Sequence, residues 1–282
     1  MAALNERAML VHLRVRAWTG TRKNDQVTRE NCKRYEADND AGVWMTNFIP
    51  NKDKSKLISA AAKLRNEWRK QTLPWLDESV RILSSDLFMK YRERMVKARS
   101  EYEKITNDFI SRYPAICEKM PNRLKGLLDE RKLPTVAELK QKFAVTLNVF
   151  PLPTMKDFRI GNSEEEKKEI LKQAEDSMQE ASKRMMGNVW GQLSGLVSKI
   201  VERLSTPDKK FHDTLITNLI EFCIDLPKMN LTDDVELENV RKEVIKKLCM
   251  LKPDNLRHDK AERKVAAKEA KMLVKKMSEY AL

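Results

Sequence analysis

Apolar residues recur along the segment 86–113 at alternating spacings of three and four, with arginine, lysine and glutamate between them. This spacing keeps one face of a helix apolar and is typical of a coiled-coil-like helix. Pro114 should end the helix, because proline removes a backbone donor and disfavours helix at the residue before it. A shorter helix is predicted to resume and to run to about Arg131. The apolar stripe consists of Phe88, Tyr91, Met95, Ala98, Tyr102, Ile105 and Phe109.

A second, longer helix is predicted to begin after Ser163. Ser163 and Glu166 stand three apart, as in a capping box, and the glutamates at 164–166 suit the positive end of a helix dipole. The apolar stripe runs to Leu204, with four-residue steps over 185–193 that break the heptad phase. We expect this helix to pack antiparallel to the 86–113 helix. Its stripe consists of Leu171, Ala174, Met178, Ala181, Met185, Val189, Leu193, Leu196, Ile200 and Leu204.

Three short segments, 10–18, 143–150 and 157–161, are predicted to be β-strands. The first two alternate apolar and polar residues with the strand period of two. Single strands of this length are unstable, so we predict one small sheet that pairs the N-terminal strand with the middle of the chain. Thr135 and Glu138 repeat the capping-box pattern, which predicts a short helix before the second strand.

The last quarter of the chain predicts three further amphipathic helices. Pro207 suits the first position of a helix that buries a stripe ending at Leu226. Another helix is predicted over 233–251. The last begins at Asp259 and continues to the C-terminus, after a break at the segment KPDN.

Composition agrees with a helical protein. The 282 residues are 41% hydrophobic and 34% charged, with only seven glycines, which favours long solvated helices over a sandwich or a Rossmann-type sheet. We therefore predict a mainly α fold, an elongated antiparallel helical hairpin or bundle with the small three-stranded sheet at one end. We expect an N-terminal strand with short helices over 1–75, the long hairpin over 76–206 and a basic helical bundle over 207–282, or one continuous domain.

Three of the seven glycines fall at intervals of four inside the long predicted helix. Each glycine costs about 1 kcal/mol relative to alanine in a helix interior, so their presence needs a reason. At 100° per residue they share one narrow strip with two serines, which would let a second helix approach closely. The alternatives are a bend at this point or no function at all. The candidate helix-contact strip is Gly187, Gly191, Gly195, Ser194 and Ser198.

The net charge of +13 is unevenly distributed. The segment 241–276 carries thirteen Lys and Arg against five Asp and Glu, whereas 164–180 carries seven acids against three lysines. A basic helix can bind nucleic-acid phosphates, an acidic protein partner or an anionic membrane surface, or it can be a solvated face with Val265, Ala266, Leu273 and Met277 inward. No aromatic residue is interleaved before Tyr280, so stacking on bases is poorly supported. The candidate phosphate contacts are Lys260, Arg263, Lys264, Lys268, Lys271 and Lys275.

Motifs of catalysis and ligand binding are absent from the sequence. His12, His212 and His258 lie on three different predicted elements, and no HExxH, GxSxG or phosphate-binding glycine pattern occurs. We therefore expect no enzyme activity, no catalytic residues, no cofactor and no metal, and we read the glutamates at 164–166 as helix capping.

The cysteines and the hydropathy of the sequence predict the cellular compartment of the protein. The four cysteines are far apart without a C-x-x-C pair, which predicts reduced thiols and no structural zinc. Neither a secretion signal nor an apolar stretch of membrane-spanning length occurs, which predicts a cytoplasmic protein.

Three stretches resemble one family: LVHLRVRAWTGTRKN, FAVTLNVFPLPTMKDFRI and KFHDTLITNLIEFCIDLPKMNLTDDVELENVRKEV. They are similar to a family of uncharacterised proteins of tailed bacteriophages and bacteria, classed as a domain of unknown function. The resemblance covers nearly the whole chain and implies a bacterial host cell. Members are often encoded near a MoxR-like AAA+ ATPase and a von Willebrand factor type A protein, which implies a role beside a remodelling ATPase. The family has no assigned catalytic residues to transfer.

Two functions follow as hypotheses, besides the less favoured one of an enzyme whose site is assembled from scattered residues. The first is a non-enzymatic scaffold or adaptor that binds protein partners, among them the AAA+ ATPase or a second copy of the chain through its coiled-coil stripe. The alternative is a nucleic-acid-binding protein that uses the basic C-terminal helices.

Overall fold

The computed structural model describes residues 4–75, 79–129, 133–153, 164–206, 211–278 and 280. The mainly α prediction is confirmed, and a small antiparallel sheet accompanies the helices. The helices are α1 (Leu4–Arg7), α2 (Asp25–Arg34), α3 (Asn51–Lys70), α4 (Phe88–Leu124), α5 (Val136–Gln141), α6 (Glu164–Ser205), α7 (Asp213–Met229), α8 (Val235–Val244), α9 (Pro253–His258) and α10 (Lys260–Met277). The strands are β1 (Ala8–Arg16), β2 (Thr21–Lys23), β3 (Met45–Asn47), β4 (Leu73–Pro74), β5 (Val80–Ser84) and β6 (Ala144–Pro151).

The sheet that contains β1 has the strand order β4-β5-β1-β6. The N-terminal strand therefore lies beside the strand from the middle of the chain, as predicted. On its other side β1 pairs antiparallel with β5, from Ala8 opposite Ser84 to His12 opposite Val80. The predicted strand 157–161 lies outside the described residues. Strand β5 was not predicted, because four of its five residues are buried and it therefore lacks the alternation that marks a half-buried strand.

Local capping explains where several helices begin. The predicted capping box of α5 is present, with the Thr135 hydroxyl accepting from the Glu138 amide and the Glu138 carboxylate accepting from the Thr135 amide at 2.8 Å. Asp234 and Asp259 cap α8 and α10 in the same way, each with a carboxylate oxygen that accepts two backbone amides. Ser163, the predicted cap of α6, lies outside the described residues.

The helix around Pro114 corrects the sequence prediction. Helix α4 continues through Pro114 and Pro121 to Leu124, so proline does not end it at Tyr113. Both prolines are exposed, whereas Tyr113 and Met120 are buried. Each proline removes one backbone hydrogen bond from the helix. Core packing on the opposite face therefore holds the helix together.

The chain forms two compact units. Unit 1 contains Met1–His12, Gln71–Lys90 and Asn148–Leu282, and unit 2 contains Leu13–Lys70 and Tyr91–Leu147. Because the chain enters each unit more than once, the units do not coincide with the predicted ranges 1–75, 76–206 and 207–282. In unit 1, α6 packs against α10 and α7. The antiparallel packing of the 86–113 helix against α6 stays a prediction.

Unit 2 is built around an aromatic core between α3, α4 and α5. Trp18 contacts Phe109 and Tyr113, with ring centroids 6.2 and 5.8 Å apart. The predicted apolar stripe of α4 lines this core, with Tyr102 and Phe109 almost completely buried. Its buried members pack inside the unit, whereas Ala98 and Ile105 are half-buried, and self-association through the stripe stays a prediction. The buried core also includes Phe48, Ile49, Leu57, Ile110, Met120, Leu124 and Leu139.

Candidate functional site

Helix α10 has one buried face and one basic face. Ala266, Ala270, Leu273 and Met277 are buried, at spacings of four, three and four, and α10 packs on α6. Val265 was predicted to lie inward with them, but it is 63% exposed. The prediction was wrong because, at 100° per residue, position 265 lies about 110° from the mean direction of these four buried positions.

Five lysines occupy the solvent side of α10 and form what we call the lysine strip: Lys260, Lys264, Lys268, Lys271 and Lys275. All five are exposed, and their spacings of four, four, three and four place them within one 80° sector of the helix. In the part of the chain that the structure describes, no ion pair joins any of them to a carboxylate.

Other charges on α10 are neutralised within the protein. Lys276 contacts Glu243 at 2.6 Å, and Glu269 contacts Lys247 at 2.8 Å. The hydrogen bond with Glu243 raises the pKa of Lys276, so this lysine stays protonated and engaged. The helix therefore separates a paired side from the lysine strip, where the positive charge faces solvent.

A cavity of about 740 Å³ lies beside the lysine strip, where the end of α6 meets α9 and α10. We call it the α10 groove. Five of the six predicted phosphate contacts line it, and Lys275 follows one turn beyond. Leu204, Ala267 and Met272 supply apolar lining. The basic lining residues are Arg257, Lys260, Arg263, Lys264, Lys268 and Lys271.

Arg263 has a different role from the predicted one. Its Nε donates to the carbonyl of Leu204 at 3.0 Å, and its Nη2 donates to the carbonyls of Arg203 and Thr206 at 2.6 and 2.7 Å. The last carbonyls of a helix lack partners within the helix and carry partial negative charge, which a cation stabilises. Arg263 therefore caps the end of α6, and we remove it from the set of phosphate contacts.

Arg257 lines the groove but was not recognised from sequence. Its Nε donates to the carbonyl of Phe211 at 3.0 Å, and its guanidinium forms ion pairs with Asp213 and Asp254. Like Arg263, it stabilises the wall of the groove. No sequence pattern connects it with Phe211 or Asp213, because those contacts depend on the tertiary packing of α9 against the start of α7.

The glycine strip on α6 makes no close contact at two of its positions. A methyl group built on Gly191 or Gly195 would meet no atom within 4 Å. A second helix of this chain therefore does not approach these two glycines in the described structure. Ser194 and Ser198 are half-buried, as is Gly187. Contact of the strip with another molecule stays a prediction.

The described residues contain neither a metal-binding cluster nor a membrane-spanning helix. No group of three or more His, Cys, Asp or Glu side chains in these residues is arranged to hold a metal ion. No helix in the same ranges combines the length and the hydropathy that crossing a membrane requires.

Comparison with known proteins adds no functional assignment. No family model, no curated protein and no solved structure matches this chain. Function is therefore inferred from the side chains of the lysine strip and the α10 groove.

Proposed function

We propose that this chain is a non-enzymatic nucleic-acid-binding protein that holds the phosphate backbone with the lysine strip of α10. The main support is that five lysines are exposed on one side of a helix and have no carboxylate partner in the described residues. From Lys260 to Lys275 the strip spans about 22 Å at 1.5 Å per residue. A row of like charges matches a polymer that repeats its charge at regular intervals.

The chemistry of the strip favours binding to the backbone over recognition of sequence. Lysine presents a compact charge, and arginine, asparagine and glutamine, which read base edges in pairs of hydrogen bonds, are absent from the strip. The two arginines of the groove are engaged with carbonyls and carboxylates. We therefore expect affinity that depends strongly on salt and weakly on base sequence.

The strip can be tested by reversing three of its charges. Fluorescence anisotropy with a labelled DNA duplex should show a slope of log K against log salt of about −4.5 for the wild type, given five contacts at about 0.9 each. In the variant Lys264→Glu, Lys268→Glu, Lys271→Glu the slope should become shallower by about 3. Repeating the measurement with labelled single-stranded RNA and DNA, for which the slope is about 0.7 per contact, establishes which nucleic acid is preferred.

A matched control variant separates the effect of lysine position from the effect of net charge. The variant Lys168→Glu, Lys172→Glu, Lys183→Glu changes the charge equally at three exposed positions of α6, and it should bind with the wild-type slope. An equal loss of DNA affinity in the two variants would show that binding depends only on net charge. The absence of salt-sensitive binding in the wild type would reject the proposal. Displacement by polyglutamate as efficient as by DNA would favour an acidic protein partner.

The adaptor role remains a separate proposal. Association with a MoxR-like AAA+ ATPase follows only from the family resemblance of the three quoted stretches. It is tested by mixing the two purified proteins and measuring complex formation.

A further inference from the structure

A second groove lies in unit 2, between α3 and α4. Two adjoining cavities of about 540 and 580 Å³ share Ala60, Lys63 and Ile105 in their lining. We call them together the α3/α4 groove. The two helices run antiparallel, because Asp53 contacts Arg112 at 3.0 Å near one end and Glu67 contacts Arg94 at 2.8 Å near the other.

Lysines stand at regular intervals on both walls of this groove. Lys56 and Lys63 lie seven residues apart on α3, and Lys97 and Lys104 lie seven apart on α4. Seven residues are about two helical turns, so each pair projects from one side of its helix. All four are exposed, and within the described ranges none forms an ion pair with a carboxylate.

The carboxylates that line the groove are mostly neutralised within the protein. Glu67 is held by Lys70 at 2.5 Å as well as by Arg94, and Asp108 is held by Arg112 at 3.0 Å. Partial burial raises the pKa of Glu67, but the hydrogen bonds from Lys70 and Arg94 outweigh it and lower the pKa overall. The glutamate therefore stays ionised in its pairs, and the four lysines dominate the charge presented to a ligand.

The floor between the two rows is apolar. Ala60 and Leu64 of α3 are buried there, and Ala98 and Ile105 of α4 are half-buried. Alanines at the centre let another backbone approach closely. Apolar helix faces bind in grooves of this kind, with charged residues at the flanks setting the choice of partner.

We propose that the α3/α4 groove docks an acidic amphipathic helix of a partner protein. The helix places its apolar face on the floor and its Asp or Glu side chains, repeated every seven residues, against the lysine rows. Charge complementarity identifies the partner as acidic. From Ser55 to Lys70 the groove is about 22 Å long, which accommodates about fifteen residues of helix. A nucleic acid would leave the apolar floor uncovered, so it fits this groove less well.

The test uses two synthetic peptides of 21 residues with Leu and Ala at the seam positions of the heptad. The acidic peptide carries Glu at both flanking positions, and the charge-swapped peptide carries Lys there. Isothermal titration calorimetry should detect binding of the acidic peptide to the wild type. The variant Lys63→Glu, Lys104→Glu should weaken this binding about tenfold or more, because two attractive pairs become repulsive. The charge-swapped peptide should bind that variant better than the wild type.

The control variant Lys264→Glu, Lys268→Glu makes the same change of charge on α10. It should bind the acidic peptide like the wild type while its affinity for DNA falls, which separates this proposal from nucleic-acid binding by α10. Equal peptide affinities for the wild type and the Lys63→Glu, Lys104→Glu variant would overturn the proposal. The proposal would also be overturned if the Lys63→Glu, Lys104→Glu variant lost as much affinity for DNA as the Lys264→Glu, Lys268→Glu variant. Sedimentation showing a wild-type dimer that the variant abolishes would make a second copy the occupant.

Discussion

At the scale of single residues, the glycines divide into one that the backbone requires and two that it does not. Gly20 has a φ of +64°, and a methyl group built on it would lie 2.5 Å from Cγ1 of the buried Ile49. Gly191 and Gly195 are helical and would meet nothing within 4 Å. Among the glycines whose surroundings the structure describes, Gly20 combines a left-handed backbone with a close side-chain contact, whereas Gly191 and Gly195 show neither.

Alanine substitutions should therefore have opposite effects on stability. Gly20→Ala should lower the free energy of unfolding by about 2 to 4 kcal/mol, from left-handed backbone strain and overpacking. Gly191→Ala and Gly195→Ala should each raise it by up to about 1 kcal/mol. Urea unfolding followed by circular dichroism measures all three. A loss of stability for Gly191→Ala that grows with protein concentration would instead reveal contact with another molecule.

At the scale of elements, helix ends depend on residues that are distant in sequence. Arg263 of α10 supplies hydrogen bonds to three carbonyls near the end of α6, which lies 57 to 60 residues earlier. Helix α4 shows the same dependence on tertiary packing, since its buried face outweighs two exposed prolines. By comparison, the start of a helix depends on residues close to it in sequence, as the capping box of α5 shows.

Removing the arginine cap should destabilise the protein without weakening the lysine strip. We expect Arg263→Met to lower the free energy of unfolding by about 2 to 3 kcal/mol, because three partly buried carbonyls lose a charged donor. Lys264→Met, one residue further along, should change it by about 0.5 kcal/mol or less. Thermal unfolding compares the two. If Arg263→Met left stability unchanged but made the salt slope of DNA binding shallower, Arg263 would be a phosphate contact after all.

At the scale of the whole molecule, contacts between distant parts of the sequence set the environment of individual groups. The hydroxyl of Tyr102 donates to the carbonyl of Arg16 at 2.5 Å, across 86 positions of sequence. Burial raises the pKa of Tyr102 from its ordinary 10.0 to about 12, against a smaller opposing effect of Arg65. The folded protein therefore retains a proton that the unfolded chain releases above pH 10.

The resulting pH dependence has a definite sign. The contribution of Tyr102 to stability is complete below pH 10 and is lost as the pH rises from 10 to about 12. Relative to Tyr102→Phe, the wild type should lose up to about 1.4 kcal/mol of unfolding free energy per pH unit in this window. Urea titrations at pH 9 to 12 measure the difference. Tyr35→Phe, at a site that is 74% exposed, should show no such trend, and a parallel trend in both variants would contradict the assignment.

Much of the helical architecture was accessible from sequence, and the reason is its local periodicity. The stripes of α4 and α6, the cap of α5 and the strands β1 and β6 were predicted from spacings within short windows, and the pairing of β1 with β6 from the instability of single strands. The bounds of α9, the strand β5 and the end of α4 were not. Continuous burial erases alternation in β5, and packing on one face overrides the intrinsic effect of proline in α4.

The candidate site shows the same division. Sequence by itself determined that the basic charge is concentrated at the C-terminus and that the five lysines share one side of a helix, because both follow from composition and a period of 3.6 residues. Only the tertiary structure decided that Arg263 holds the end of α6 and that Lys276 pairs with Glu243. It also brought α3 and α4 together to form a second basic groove. An ion pair or a groove depends on distances between elements, which no pattern within a single element contains.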